Sequence, residues 1–457
     1  FLGEDKNFSD SKAAKSLING IGQIARITDI RGYPEWDKTP YRSIDNAVET
    51  ANAVQRFLVE KTRLGIPALF HDELAHGFLA NDATIFPIPT ALGSTWDPDL
   101  VEQVFTVAAR EARLRGTTVA LTPVIDLLHD PRFGRSEEFF GEDPRHVSDM
   151  GTAAVRGMQG RTRPLGKDRV YVTLKHFVHG SPQGGLNIGP ADVSERAMRA
   201  WYLTPFERVI RDADPAIIMA SYNEVQGVPA HANVELLQDT GRRRLGFKGA
   251  YFSDYDGIAN LKNHHHVAGN LEDAAVLAMN AGIQADLPDG EAYALLPALV
   301  RAGRVAEAQV DAAVVQVLKL KFEAGLFENP YLDAKRVRAG TNRAADIALA
   351  RRAAEKSVIL LKNENAVPLK PGTGLKLAVI GPNAAVPLFG GYSGANARSV
   401  GILEGVRKGA PKGVTVDYAE GVRITEPDTE GRYLSFSPTI APSEEDDAKR
   451  PAHGNMQ

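Results

Sequence analysis

The chain has 457 residues, of which 43% are hydrophobic and 24% charged, so it can form two or three domains with large cores. Its 53 basic and 57 acidic side chains give a net charge of −4 without a basic run, which argues against nucleic acid or an acidic membrane as the main partner. The absence of cysteine excludes disulfide and thiolate chemistry. No apolar run approaches the roughly 20 residues that cross a bilayer.

The first 65 residues have a largely helical pattern, with a helix predicted over 47–61 and a turn or strand start at 20–24. The chain begins at Phe1, so we expect that the initiator methionine, and any leader with it, has been removed.

From residue 66 short β-prone runs alternate with amphipathic helices. Strands are predicted at 66–70, 117–122, 170–174, 216–220, 250–252 and 282–285, and helices at 99–115, 147–159, 194–212 and 271–280. This alternation predicts a parallel sheet, either an open doubly wound sheet or a closed barrel. The barrel fits better because it needs about 250 residues, which the chain supplies by residue 325.

A second α/β unit is predicted to follow the barrel. A broken helical segment at 295–326 ends before Asn329-Pro330, and a helix at 344–361 precedes strands at 376–380 and 414–418. We therefore divide the chain into a barrel domain (1–330), a linker (331–343), a partial second domain (344–424) and a polar tail (425–457) that reads as loop or disorder.

Polar side chains follow the predicted strands with unusual regularity: Glu73, Asp126, Lys175, His176, Tyr222, Asp254 and Asp286. In a parallel barrel these strand ends converge on one face, where active sites lie. In an open sheet they would spread along an edge.

Asp254 stands out because it ends a short buried strand and precedes the turn formers Asp256-Gly257. A carboxylate there is costly without partners. One explanation is a helix cap, which is the plainer of the two, and the other is a functional carboxylate. From this stretch alone the two explanations are equally supported.

Several carboxylates with Lys175, His176 and an arginine on one face favour a polyhydroxylated substrate, since charged groups make the strongest hydrogen bonds to hydroxyls. Arg132 or Arg135 could supply the arginine, and we expect one of the two to form a structural ion pair instead. Three aromatic side chains, Tyr222, Tyr255 and Phe133, could stack on sugar rings. His176 could be a core histidine whose hydrogen bonds are all made within the core. This interpretation is less favoured because Lys175, the preceding residue, is also expected to be buried and needs an anion nearby.

The sequence does not contain the motifs of zinc sites, nucleotide sites or serine nucleophiles with the required spacing. His71 and His76 lie five residues apart, whereas a helical zinc motif needs four, and the run His264-His265-His266 is expected to be exposed. No dinucleotide fingerprint, phosphate loop or nucleophile elbow is present. We expect neither a metal nor a cofactor.

An ordered series of motifs resembles glycoside hydrolase family 3. It comprises Phe86-Pro87, Thr95-Trp96-Asp97, Asp130-Pro131-Arg132-Phe133-Gly134-Arg135, Phe140-Gly141-Glu142-Asp143-Pro144, Lys175-His176-Phe177, Ser221-Tyr222-Asn223 and Gly246-Phe247-Lys248-Gly249 with Ser253-Asp254-Tyr255. Lys-His-Phe alone would be weak evidence, but the whole series in this order is specific.

The resemblance implies a (β/α)8 TIM-type barrel followed by an α/β sandwich, of which this chain holds the start. It implies a retaining glycosidase that acts on the non-reducing end of an oligosaccharide or an aryl or alkyl β-glycoside, with Asp254 as nucleophile. Substrate binding would fall to Glu73, Arg135, Lys175 and His176, with Tyr222 near the nucleophile. It further implies a periplasmic or secreted location, and it leaves a homodimer open.

The chain departs from the family pattern in two places. The family's acid/base is a carboxylate from a later loop, and neither Glu404 nor Glu420 lies where it is expected, so the acid/base stays unassigned. Glu73 stands where glucosidase-like members more often have Asp, which favours xylose over glucose by no more than about 1–3 kcal/mol. The alternatives are an N-acetyl-β-hexosaminidase of the same family, which lacks support in the 181–187 loop, and a non-catalytic glycan-binding barrel.

Overall fold

A computed structural model describes residue 2 and residues 7–28, 42–372, 374–394 and 399–422. The predicted polar tail at 425–457 lies outside these residues. The strands of the described part are β1 Gln23–Ala25, β2 Leu69–Asp72, β3 Thr117–Ala120, β4 Tyr171–Phe177, β5 Ile217–Ala220, β6 Glu224–Val225, β7 Val228–Pro229, β8 Ala250–Phe252, β9 Lys376–Ile380 and β10 Thr415–Ala419.

Helices lie between most of these strands. The α-helices of the described part are α1 Asp10–Ser16, α2 Ile44–Lys61, α3 Pro89–Gly93, α4 Pro98–Leu114, α5 Pro144–Gln159, α6 Glu195–Ala197, α7 Leu203–Ala213, α8 Asn260–Asn263, α9 Leu271–Ala281, α10 Leu296–Arg301, α11 Glu307–Glu323, α12 Ala334–Gly340, α13 Ala344–Ser357 and α14 Ile402–Gly409. A π-helical segment, Met198–Tyr202, joins α6 to α7. None of the described helices has the length and hydropathy of a membrane span.

Asp-Pro pairs start two of the long helices. Asp97 accepts a hydrogen bond from the Leu100 backbone N–H at the start of α4, and Asp143 accepts one from His146 at the start of α5. In both helices proline occupies the first turn, where its missing N–H costs nothing. Two motifs that carried the family resemblance therefore have a local structural role as helix caps.

The main sheet is parallel and curls until its edges meet. Its strand order is β1-β2-β3-β4-β5-β8, and a parallel bridge joins Phe252 of β8 to Ala285. Gln23 of β1 closes the ring, because its side-chain amide donates to the Asp286 and Pro288 carbonyls at 3.4 and 2.8 Å. The predicted barrel is confirmed, although its last strand, expected over 282–285, is reduced in the described residues to that single bridge.

The barrel strands are buried on both faces, as expected for a parallel sheet covered by helices. Every residue of β2, β3, β4, β5 and β8 is buried. Side chains such as Val119, Ile217 and Phe252 fill the interior, while the outer faces pack against the helices. This packing makes the strand ends rigid supports for the side chains that follow them.

The second unit consists of α13, β9, α14, β10 and their loops. The strands β9 and β10 pair in parallel with α14 between them, as predicted for a second α/β unit. The prediction of a helix to residue 361 is wrong at its end, because α13 stops at Ser357 and the apolar run 358–361 is extended and exposed. The division at residue 330 stays a prediction.

Candidate active site

Asp254 lies directly after β8, at the face where the carboxyl ends of the barrel strands converge. Its Oδ1 accepts the Tyr255 backbone N–H at 2.7 Å, and its own backbone N–H is bound to the His231 ring. Among the described residues no group donates a hydrogen bond to Oδ2. A buried carboxylate oxygen without a donor is rare and needs an explanation, and an incoming ligand is one.

His176 faces this oxygen, with 3.6 Å between His176 Nε2 and Asp254 Oδ2. The ring cannot donate there, because Nε2 already accepts a hydrogen bond from an Arg135 NH2 group at 3.1 Å. The ring proton is therefore on Nδ1, which donates to Asp126 at 2.7 Å. Burial, reinforced by Arg135 and Lys175, lowers the pKa of His176 well below its usual value, which agrees with this neutral tautomer.

Arg135 connects three parts of the site. It forms a bidentate ion pair with Glu138 at 2.6 and 2.9 Å, and its Nη1 donates to Asn187 Oδ1 at 3.2 Å. Arg132, by contrast, is exposed and pairs with Asp130. One arginine of the motif thus belongs to the site and the other forms a surface ion pair, which matches the expectation from sequence.

Glu73 is held between two cations. One carboxylate oxygen lies 3.2 Å from Arg26 and the other 3.1 Å from the Lys175 ammonium, and all three side chains are buried. The anion that Lys175 needs is therefore Glu73. Its two ion pairs leave lone pairs on both carboxylate oxygens, and these can accept hydrogen bonds from sugar hydroxyls.

Two opposing effects set the pKa of Asp254. Burial raises it, while the Arg135 and Lys175 cations, the Tyr255 N–H and the nearby Tyr222 hydroxyl lower it. Tyr222 therefore lies next to the carboxyl group, as predicted. The net shift is upward, so Asp254 is protonated at a higher pH than an exposed aspartate.

Tyr255 is part of the cluster but is not an open stacking surface. Its hydroxyl bonds the His71 ring at 2.9 Å, and the Arg26 guanidinium lies 5.2 Å above its ring. Its predicted substrate contact stays a prediction. Phe133, named as one of three aromatic side chains that could stack on a sugar, is not available for this, because it is buried in a small core against Phe139 and His179.

Asp286 does not join the site, which corrects the prediction from its strand-end position. Its Oδ2 accepts the backbone N–H groups of Ala292 and Tyr293 at 2.9 and 3.2 Å. Asp286 therefore caps the start of the helical segment at Tyr293. Helix capping was the alternative role considered for Asp254. The prediction of an exposed histidine run holds for His264 and His266 but is wrong for His265, whose side chain is buried.

Arg26 and Tyr392 are among the residues of the site that were not predicted. Arg26 follows β1, so the strand-end rule would have found it if this three-residue strand had been recognised. Tyr392 belongs to the second unit, in the 390–394 loop. Its ring lies 5.5 Å from the Arg26 guanidinium and 5.4 Å from the Lys175 ammonium.

Barrel side chains hold this loop by its backbone. The Gly391 N–H donates to the Glu137 carboxylate, and the Gly391 carbonyl accepts a hydrogen bond from the His76 ring at 2.8 Å. A Cβ added at Gly394 would lie 2.1 Å from the Ala80 carbonyl oxygen, so the loop packs directly on barrel backbone. The second unit thereby places an aromatic ring beside the cations that pair with Glu73.

Comparison with known proteins gives a consistent result. The sequence model described as the glycosyl hydrolase family 3 N-terminal domain matches residues 7–320. A putative β-xylosidase of Formosa agariphila is 38% identical over 339 residues, which cover 74% of this chain and 45% of the relative. A periplasmic β-glucosidase of Salmonella typhimurium is 34% identical over 376 residues, covering 80% and 48%.

Solved structures agree with these matches. A β-glucosidase from Erythrobacter marinus is 36% identical with a TM-score of 0.85, covering 92% of this chain and 55% of that one. A β-glucosidase from Listeria innocua, solved with glucose, is 32% identical with a TM-score of 0.75, covering 84% and 52%. The chain spans about half the length of the curated relatives it matches.

Proposed function

The chain belongs to glycosyl hydrolase family 3, and on that premise we propose that it is a retaining β-glycosidase with Asp254 as nucleophile. It would remove β-D-xylosyl or β-D-glucosyl residues from the non-reducing end of oligosaccharides. The observation that carries the proposal is the Asp254 Oδ2 atom, which is buried, has no donor among the described residues, and lies next to Arg135, His176 and Lys175.

The mechanism follows from this geometry. Asp254 Oδ2 attacks the anomeric carbon while the glycosidic bond breaks, and the leaving oxygen departs with the bonding electron pair. The covalent glycosyl ester is then hydrolysed by water, which regenerates the carboxylate and retains the anomeric configuration. Rigid placement of Oδ1 by the Tyr255 N–H keeps the second oxygen aimed at the substrate.

Sugar hydroxyls would be bound by the paired charges around Asp254. Glu73 accepts hydrogen bonds, Lys175 and Arg135 donate them, and His176 is fixed in orientation by Asp126. Hydrogen bonds to ionised groups are about twice as strong as neutral ones, which suits a substrate made of hydroxyls.

The acid/base is not assigned to any described residue. Glu404 pairs with Lys408 on the surface of α14, and Glu420 is exposed, so neither lies in the cluster around Asp254. We therefore propose that this chain by itself forms the glycosyl ester only from substrates whose leaving group departs without protonation, such as nitrophenyl glycosides. Turnover of alkyl glycosides at a comparable rate would contradict this.

The first test is turnover by an isosteric variant. Asp254→Asn should lower kcat/KM on nitrophenyl β-xyloside and β-glucoside by at least about 1,000-fold without a change of fold, because the amide is a far weaker nucleophile. Asp286→Asn is the matched control, since it alters another strand-end aspartate that only caps a helix. Equal losses in both variants would refute the assignment, as would failure of Asp254→Asn to fold.

Sugar preference is tested by the same two substrates. Glu73 carries one methylene more than the aspartate common in glucosidase-like members, so it would reach deeper and crowd the hydroxymethyl group of glucose. One methylene is worth about 1–3 kcal/mol, so we expect kcat/KM to favour the xyloside. A glucoside preference of about tenfold or more would contradict the proposal.

A location outside the cytoplasm is proposed from the Salmonella relative, whose name describes it as periplasmic. Fractionation of the source cells checks it: activity should appear in the periplasmic or culture fraction and not with cytoplasmic markers.

A non-catalytic glycan-binding barrel is the second candidate, favoured by the unassigned acid/base. It predicts sugar binding with no release of nitrophenolate by the wild-type chain.

A further inference from the structure

Two buried histidines that no step above uses lie behind the nucleophile. His231 is in the 3-10 turn Ala230–Ala232, which follows the hairpin formed by β6 and β7, and His265 follows α8. Both side chains are about 1% exposed, so neither is a surface histidine.

His231 bonds the backbone of Asp254. The Asp254 N–H donates to His231 Nε2 at 3.0 Å, so Nε2 is an acceptor and the ring proton lies on Nδ1. The Ser221 carbonyl, at the end of β5, is the other hydrogen-bond partner of the ring. One neutral imidazole therefore joins the end of β5 to the end of β8.

The position of the His231 ring leaves little room for movement. A Cβ added at Gly257 would lie 2.2 Å from Nε2, so the backbone of the turn after Asp254 packs directly on the ring. Burial, with a smaller contribution from His265, lowers the pKa of His231 to about 3, which keeps Nε2 an acceptor in neutral and mildly acidic solution.

His265 contacts the backbone of Tyr222, the residue that follows Ser221. Its Nε2 lies 2.9 Å from the Tyr222 carbonyl and its Nδ1 lies 3.0 Å from a Glu224 carboxylate oxygen. The His265 ring therefore connects Tyr222, whose hydroxyl lies beside the Asp254 carboxyl group, to the β6–β7 hairpin. This hairpin leads into the turn that contains His231.

We propose that His231 and His265 are positioning residues that fix Asp254 and Tyr222 through their backbones, so that Asp254 Oδ2 faces the anomeric carbon. This inference rests on the proposed function. Neither histidine touches the substrate; each acts by removing backbone freedom from a group that does. Misplacing a reacting group by about 1 Å costs roughly 100-fold in rate, which sets the size of effect to expect.

Two conservative variants of His231 separate its two hydrogen bonds. His231→Gln places a carbonyl oxygen where Nε2 was, so it keeps the hydrogen bond from the Asp254 N–H. His231→Asn places its amide group where Nδ1 was, so it keeps the hydrogen bond to the Ser221 carbonyl and loses the one from Asp254. With nitrophenyl xyloside, kcat should fall about 30- to 100-fold in the Asn variant and less than about tenfold in the Gln variant. KM should change less than about threefold in both.

His265→Leu should also lower kcat, by about tenfold, whereas His264→Leu, the same change at its exposed neighbour, should leave kcat and KM at wild-type values. Melting temperatures of all variants show whether each is folded.

Suppose that the wild type is active. If His231→Asn and His231→Gln then have equal kcat values, or if the variants differ from the wild type in KM alone, the positioning role is wrong while the proposed function stands. A wild-type chain that hydrolyses neither nitrophenyl glycoside overturns the proposed function, and this inference with it.

Discussion

The barrel and the second unit contribute to one site by different means. Barrel side chains such as Glu73, directly after β2, and Lys175, within β4, are supported by strands in which every residue is buried. The strands β9 and β10, by contrast, alternate exposed and half-buried residues, and Ile380 is 68% exposed. Tyr392 therefore reaches the site on a loop whose position depends on a few contacts to the barrel, not on a core of its own.

This difference has a consequence for mutations. Changes to barrel residues at the site should affect both activity and stability, because charged groups there are buried and mutually compensating. Changes to the loop of the second unit should affect activity with little effect on stability.

Among changes to the residues around the nucleophile, Lys175→Met should have the largest effect. It leaves the buried Glu73 carboxylate with Arg26 as its remaining cation among the described residues, so kcat/KM on nitrophenyl xyloside should fall at least about 100-fold and the melting temperature should fall as well. The matched control is Lys321→Met, since Lys321 is also a buried barrel lysine but donates to the Pro67 carbonyl at the opposite end of the barrel. The control should lower stability and leave kcat/KM within about twofold. If both variants lose activity equally, Lys175 has no specific role at the site.

Tyr392→Leu should have a smaller and more selective effect. It removes the ring that lies beside the Arg26 guanidinium and the Lys175 ammonium, so these cations are held less exactly and kcat/KM should fall roughly tenfold. The melting temperature should stay within about 1 °C of wild type, because the loop is not part of a core. Tyr331→Leu, at an exposed tyrosine, is the control and should change neither quantity. A Tyr392→Leu variant with wild-type activity would mean that the second unit does not contribute to the site.

Asp72→Asn should leave activity nearly unchanged and alter the pH dependence of stability. Burial raises the pKa of Asp72 to about 7, so the folded state holds a proton that the unfolded state has released above about pH 4. The wild type therefore loses stability as pH rises from about 4 to 7, by about 2–3 kcal/mol between pH 5 and pH 8. The asparagine variant lacks this loss, so its stability relative to wild type should increase over that interval.

The asparagine can keep both bonds of Asp72. Its oxygen can accept the Glu73 N–H, and its amide can donate to the Thr28 hydroxyl, which can turn toward the Leu79 carbonyl. Urea unfolding of both proteins at pH 5 and pH 8 measures the difference. Parallel pH profiles would show that Asp72 carries no buried proton.

The sequence predicted the parts of the site that depend on local rules. The strand β8 was placed correctly, and Glu73, Asp126, His176, Tyr222 and Asp254 lie together because parallel strands end on one face of the barrel. The same rule was wrong for Asp286, since a carboxylate after a strand can serve a ligand or cap the next helix, and residue type does not separate the two.

The remaining errors have tertiary causes. Tyr392 was missed because its loop is held by His76, 315 residues away in the sequence, and no local pattern marks such a contact. His265 was taken for an exposed residue because three identical side chains give no periodicity. The helix α13 was extended too far because the apolar run 358–361 continues its pattern, although it is an exposed, extended segment here.

Trapping of the covalent intermediate tests the central claim most directly. The whole chain is incubated with a 2-deoxy-2-fluoro β-xyloside or β-glucoside that carries a dinitrophenolate leaving group, and its intact mass is measured before and after. The account predicts a mass increase of one fluorosugar per chain, located by peptide mapping on Asp254, and no increase in Asp254→Asn. An unchanged mass in the wild-type chain, or an adduct on a different residue, would contradict it.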